Sequence, residues 1–183
     1  MKILVVVDMQ KDFITGALGN DECRAAVGNV VNLIKSGSYD TIFATLDTHT
    51  EDYLKTQEGS KLPVEHCIIG TDGHTLDDNV EQALGEVSAK VKIEYVEKET
   101  FGSPELGMAI GHLYKYAKLS GDSLTIDFCG VCTGICVISN VLIAKANAPE
   151  ASIEVVENAC ACVTPQSHNT AIEAMKMCQI DII

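Results

Sequence analysis

The stretch DFCGVCTGICV, residues 127–137, sets three thiols close together just after an apolar run. A cysteine attacks as its thiolate, and a helix N-terminus or a nearby cation lowers its pKa from about 8.5. Thr133 is placed to cap a helix that begins here, which puts Cys136 in the first turn, near the positive end of the helix dipole. The first backbone N–H groups of such a helix are unpaired and are the donors an oxyanion requires. Asp8 could take the thiol proton and Lys98 could supply the cation, so that Cys136, Asp8 and Lys98 form a set suited to acyl transfer. Taken singly, each residue has a plainer reading. Asp8 closes a strand as many aspartates do, Lys98 lies among Glu94, Glu97 and Glu99 as a surface ion-pairing lysine would, and Cys136 has the character of a core thiol.

A second group is Asp47-Thr48-His49, followed by Glu58 and His66. Side chains two apart in extended chain point the same way, so Asp47 and His49 share a side. Carboxylate and imidazole donors suit zinc, and also iron or manganese. A hydrogen-bonded loop histidine is the alternative. His74, His112 and His168 have no comparable neighbours in the sequence. A third group pairs Cys129-x-x-Cys132 with Cys160-x-Cys162 as a zinc or redox set. It is the weaker reading, because Cys129 ends an apolar strand whereas a thioredoxin-type pair opens a helix.

The elements that must position these residues follow from periodicity. Strands are expected at 2–8, 40–47, 91–97, 123–129, 152–157 and 179–183, and helices near 22–36, 76–88, 103–118, 133–147 and 166–178. Ser103-Pro104 and Thr164-Pro165 are helix starts. Apolar strands alternating with helices imply an α/β fold, a three-layer Rossmann-like sandwich whose central six-stranded parallel sheet carries helices on both faces. Asp8, Asp47, Lys98 and the thiol segment then all fall at or just beyond the carboxyl ends of strands, where open α/β sheets bind ligands. The irregular stretch 48–75 is long enough to carry function.

Composition narrows the partners. One domain is expected from 183 residues, and the net charge of −13 disfavours nucleic acid and anionic membrane surfaces. The opening MKILVVVDMQ reads as a first strand, not a leader. The expected setting is cytoplasmic, with the eight cysteines reduced and Cys23, Cys67 and Cys178 packed as small hydrophobes. No phosphate loop, dinucleotide fingerprint or serine-hydrolase elbow occurs.

Five stretches, in order along nearly the whole chain, resemble the isochorismatase-like cysteine hydrolases, and within them the nicotinamidases: VVVDMQKDFITGALGN, LDTHTEDYLKTQEGSKLPVEHCIIGTDG, EKETFGS, GVCTGICVISN and ENACACVTPQSHNTAIEAM. The resemblance implies Asp8 as catalytic base, Lys98 as catalytic lysine, Cys136 as nucleophile and Phe13 against the substrate ring. It implies Asp47, His49 and His66 as ligands of a divalent metal, with Glu58 near a further ligand position. It also implies a cis peptide before Cys132 and an oxyanion hole from the backbone N–H groups of Cys132 and Cys136. The implied reaction is hydrolysis of nicotinamide to nicotinate and ammonia by a homo-oligomer. The alternatives are another small amide or a vinyl ether as substrate, or a non-catalytic ligand-binding member. Two departures stand out. Gly134 replaces the aspartate of the usual T-D-x-C motif, and Lys61–His66 lacks the aromatic residue often found there, in a chain without tryptophan.

Overall fold

The computed structural model describes residues 1–36 and 39–183. Six strands form one all-parallel sheet: β1 (Lys2–Val7), β2 (Thr41–Asp47), β3 (Lys92–Lys98), β4 (Thr125–Val131), β5 (Ser152–Ala161) and β6 (Asp181–Ile182), in the order β3-β2-β1-β4-β5-β6. Strand order reverses between β1 and β4. The crevice at that switch point is the natural ligand site of such a sheet.

The helices are α1 (Lys11–Ile14), α2 (Asp21–Ser36), α3 (Asp78–Val87), α4 (Pro104–Ser120), α5 (Ile138–Asn147) and α6 (Pro165–Met177). α2 packs on α3 and α4 on α5, and the right-handed crossovers that parallel strands favour place the two pairs on opposite faces of the sheet. Both faces of the sheet are therefore covered, and Ile3 to Val7 at its centre are wholly buried. Gly107 lets α4 and α5 approach closely, since a Cβ there would lie 2.4 Å from Ile143 Cγ2. Ser103 caps α4 by accepting from Leu106 N–H at 3.1 Å, and Thr164 and Ser167 form a reciprocal capping box at α6.

The elements match the sequence expectations with instructive shifts. Strand β1 stops at Val7 because Asp8 takes φ 48° and leaves the extended region. Strand β4 continues beyond Cys129 to Val131, through Gly130 at φ 114°. Strand β5 runs to Ala161, not 157, because a bulge absorbs the polar residues. Pairing passes from Phe128 opposite Val155 to Gly130 opposite Cys160. Cys23 and Cys67 are buried as expected, whereas Cys178 is exposed, at the carboxyl end of α6.

Candidate active site

The sheet brings Asp8, Asp47, Lys98 and Cys136 to one place beyond its carboxyl edge. Lys98 is the last residue of β3 and stands in register with Asp47, the last of β2. Its ammonium lies 2.7 Å from Asp8 Oδ2, 3.0 Å from Asp47 Oδ1 and 3.7 Å from Cys136 Sγ. All four residues are buried. Lys98 is thus no surface ion-pair residue.

The charges set one another. Burial raises the Asp8 carboxyl, and the Lys98 ammonium opposes this. Burial acts against the charge on Lys98, but Asp8, Cys136 and Asp47 outweigh it and hold the ammonium firmly protonated. Burial would likewise raise Asp47, yet His49, His66 and Lys98 prevail and keep it well below the usual carboxylate range. At Cys136 the outcome differs from the lowered pKa expected at a helix start. Burial and the Asp8 carboxylate push the thiol well above its ordinary value, against the pull of Lys98. The resting group is therefore a thiol, facing the Asp8 carboxylate and the Lys98 ammonium.

Backbone around the thiol also departs from the simple capped helix. The turn Thr133–Val137 is a π-turn, and its cap residue is Cys132, in extended conformation, instead of Thr133. The Cys132 carbonyl accepts from both Ile135 N–H (3.0 Å) and Val137 N–H (3.1 Å). The Thr133 hydroxyl pairs with His168 Nδ1 at 2.8 Å, and no side chain caps the turn. The peptide between Val131 and Cys132 is cis.

A second cluster adjoins the first. Asp47, His49 and His66 offer ligand atoms that all lie within 4.8 Å of one another. Asp47 Oδ2 is 2.9 Å from His49 Nε2 and 3.5 Å from His66 Nε2. His66 Nδ1 lies 2.8 Å from the Val64 carbonyl, which can only accept, so Nδ1 carries a proton and, in the neutral ring, Nε2 is the atom free to face a metal. His49 Nε2 is buried and, although close to Asp47 Oδ2, is not aligned to hydrogen-bond with it. Glu58 Oε1 lies 3.9 Å from the Nε2 atoms of both histidines, and burial together with Asp47 raises its carboxyl. One carboxylate, two imidazoles and an orphaned ring nitrogen fit a divalent cation. So does the charge, since Lys98 alone faces two buried carboxylates.

Aromatic rings enclose this cluster. Phe13 lies 5.5 Å from His66 between ring centroids, and fully buried Tyr53 lies 4.6 Å from His49 and 4.9 Å from His66. Tyr53 thus places an aromatic wall next to the histidines that the residues just before His66 do not provide. A cleft of about 600 Å³ opens on Lys98 between Thr48, Ile69, Glu97 and Thr100.

The four thiols of the zinc or redox reading separate. Cys129 faces Cys160, and both are raised by burial, whereas Cys132 meets Cys23 and Cys162. Among the described residues they form no metal-ligand group.

Three supporting residues escape a search for reactive types. Gln10 is fully buried; its amide donates to the carbonyls of Asp47 and His74, both at 2.8 Å, and accepts from Asp47 N–H at 2.7 Å. Asp12 Oδ2 accepts from Cys67 N–H at 2.7 Å, fixing the chain beside His66 where Cys67 takes φ 48°. Asn140 donates to the Cys136 carbonyl at 2.8 Å and accepts from Ser103 N–H at 2.9 Å. The available signal was a polar residue interrupting an apolar pattern.

The Isochorismatase domain family model matches residues 2–183. The chain belongs to the isochorismatase family of hydrolases. Solved members share its six-stranded fold. A pyrazinamidase/nicotinamidase from Streptococcus mutans UA159 superposes with a TM-score of 0.81 at 24% identity, covering 100% of both chains. A nicotinamidase from Bacillus subtilis gives 0.80 at 22% identity, covering 99% of this chain and 98% of the other. A pyrazinamidase of Pyrococcus horikoshii, in complex with zinc, gives 0.71 at 26% identity over 100% and 98%. Comparison with curated protein sequences finds no significant match. Within this isochorismatase fold, Gly134 sits where α6 comes close. A Cβ there would meet Ala171 Cβ at 3.5 Å and Cys162 Sγ at 3.6 Å. Among the described residues, no helix is long and apolar enough to cross a membrane.

Proposed function

We propose that this chain is a metal-containing cysteine amidohydrolase of the nicotinamidase type, converting nicotinamide and water to nicotinate and ammonia. The observation that carries this reading is the Lys98 ammonium, in contact with Asp8, Cys136 Sγ and Asp47 while Asp47 also faces His49 and His66. Nucleophile, base and metal-type donors thereby gather around one buried ammonium. The zinc bound to the Pyrococcus relative supports the same assignment.

In the proposed reaction the Cys136 sulfur attacks the carboxamide carbon as its proton passes to Asp8. Burial raises the Asp8 carboxyl, and the Lys98 ammonium offsets part of that rise, favouring the carboxylate that acts as base. The negative charge forming on the carbonyl oxygen is met by the N–H groups of Cys132 and Cys136. Asp8 then gives its proton to the departing ammonia, leaving a thioester on Cys136. Water, deprotonated by Asp8, attacks the thioester and releases the acid, and the thiol is restored. A divalent metal held by Asp47, His49 and His66, with Glu58 close by, would bind the ring nitrogen of a pyridine amide and orient it. Phe13 and Tyr53 supply apolar ring surface around that position.

The test is ammonia release by purified protein from nicotinamide and other small carboxamides, with and without zinc, iron or manganese. Turnover of nicotinamide is expected. Turnover of other amides only would replace the substrate, and no ammonia from any carboxamide would overturn the reaction.

A further inference from the structure

Outside the reactive cluster, another group of thiols lies against the far side of the same turn. Gly130 pairs with Cys160 and Val131 with Ala161 across β4 and β5, and Cys132 and Cys162 are the residues that directly follow this last paired rung. Neighbouring strands run about 4.8 Å apart, so the two chains leave the sheet at a separation comparable to the Cα distance of about 4.4–6.8 Å that a disulfide spans. The Cys132 and Cys162 thiols are close enough to shift each other's titration in opposite directions. Cys162 Sγ also lies 3.6 Å from where a Cβ on Gly134 would stand. The glycine at that position therefore leaves the sulfur directly against the turn that carries Cys136.

Cys162 is reachable although only 3% of the residue is exposed. It lines a cavity of about 250 Å³ with Cys160 and His168, and a groove of about 600 Å³ with Gly134 and Ser167. Either admits a molecule the size of a peroxide. The local chemistry favours a thiolate. The Cys132 thiol, against burial, holds Cys162 at about 5, and the Ser167 hydroxyl and the Gly134 and Val163 N–H groups act in the same direction. Cys132 is pushed up by its thiol partners and stays protonated. Cys23 also contacts Cys132 but is fully buried and lines neither opening.

We propose that Cys162 and Cys132 form a peroxide-sensitive thiol pair that closes to a disulfide beside the active-site turn. The Cys162 thiolate attacks a peroxide oxygen; an S–O bond forms, the O–O bond breaks, and hydroxide leaves and is protonated to water. The Cys132 sulfur then attacks the sulfenic sulfur; an S–S bond forms, the S–O bond breaks, and a second water leaves with the thiol proton. Two thiols lose two electrons and one hydrogen peroxide is reduced to two waters. Dithiothreitol reverses the change by thiol exchange. The bond ties Cys132, cap of the π-turn, to β5. The consequence for turnover rests on the reaction proposed above, while formation of the bond does not.

The test treats the full chain with hydrogen peroxide, blocks free thiols with iodoacetamide and maps disulfides by tandem mass spectrometry. A Cys132–Cys162 link is expected, reversed by dithiothreitol and absent in Cys162→Ser. Ammonia release is expected to be lost and regained in parallel in the wild type, and to resist peroxide in Cys162→Ser. A Cys23–Cys132 link, irreversible oxidation of Cys162 with Cys132 free, or no oxidation of either thiol would overturn the pair. If the untreated protein releases no ammonia, the amidase reading fails and the disulfide map still decides this one. If Cys162→Ser does not fold, the wild-type map decides alone.

Discussion

Asp47 turns one carboxylate oxygen to Lys98 at 3.0 Å and the other to His49 and His66 at 2.9 and 3.5 Å. The carboxylate is shared between the ion pair that holds Asp8 and the group that fits a metal. Asp47→Asn replaces one acceptor oxygen with a donor and removes the charge, so it disturbs both sides. His49→Ala removes a donor from the metal side alone and leaves the contacts of Lys98 with Asp8 and Asp47 in place. Both variants are expected to lose bound metal, measured by elemental analysis after dialysis. Asp47→Asn should also lower kcat, by about a hundredfold for a misplaced reacting group, whereas His49→Ala should chiefly raise KM. Equal kcat losses in the two would separate Lys98 from the role given to Asp47.

Chelation gives a simpler check on the same cluster. Removal of metal with a chelator should weaken nicotinamide turnover, and added zinc, iron or manganese should restore it. Turnover indifferent to chelation would detach Asp47, His49 and His66 from the chemistry.

The thiol at 136 carries a sign that alkylation can read. Its pKa is raised above the ordinary thiol value by burial and by Asp8, so the thiolate fraction is small near neutrality and grows only as pH rises. Iodoacetamide labelling of Cys136, followed by peptide mapping, should keep accelerating to pH 9 and beyond. A plateau below about pH 8, where an ordinary thiol is already titrating, would mean that Lys98 wins over burial. Cys136→Ala should release no ammonia while retaining the wild-type circular dichroism and melting transition.

How far the site was legible follows from which residues speak for themselves. Asp8, Asp47, Lys98 and the segment holding Cys136 each follow a stretch with strand periodicity, and a parallel sheet sends all such ends to one edge. Pairing of Lys98 with Asp47 needs only the register of two adjacent strands. The titration of Cys136 was not legible, because it depends on burial and on Asp8, contributed by a strand more than a hundred residues earlier. Thr133 was misread as a cap for a related reason. Its hydroxyl is claimed by His168 from α6, a contact that local sequence does not encode. Tyr53 was missed because the search for a ring stayed beside His66, while the chain supplies one from a 3-10 turn further back in the same loop. Gln10 and Asn140 carry no chemistry of their own, and their value appears only once the backbone groups they satisfy are known.

Asn140 offers a test of positioning. It is fully buried, and its amide serves Ser103 N–H and the carbonyls of Cys136 and Phe101. Asn140→Ala strands these groups, at a cost of about 1–3 kcal/mol for each one left unsatisfied. Denaturant unfolding should show a loss of several kcal/mol. Turnover at a temperature where the variant is folded should also fall, because the Cys136 backbone loses its tie to the start of α4. Unchanged kcat alongside lowered stability would confine Asn140 to the fold.

Gly130 sets the distance between β1 and β4 at the point where Asp8 and the thiol segment emerge. Its φ of 114° is closed to residues with a side chain, and a Cβ there would stand 2.1 Å from the Val7 carbonyl oxygen. The contact is with backbone at the centre of the sheet, so no side chain can swing aside to relieve it. Gly130→Ala should therefore cost about 4 kcal/mol or more, seen as a large fall in the denaturation midpoint or as insoluble expression. Gly28 is the matched control. It lies within α2, and nothing stands within 4 Å of a Cβ placed there. Gly28→Ala should stabilise the protein by about 0.4–1 kcal/mol through the lower entropy of the unfolded chain. Opposite signs from the same chemical change would identify contact with Val7, and not glycine content, as what holds the two active-site strands together.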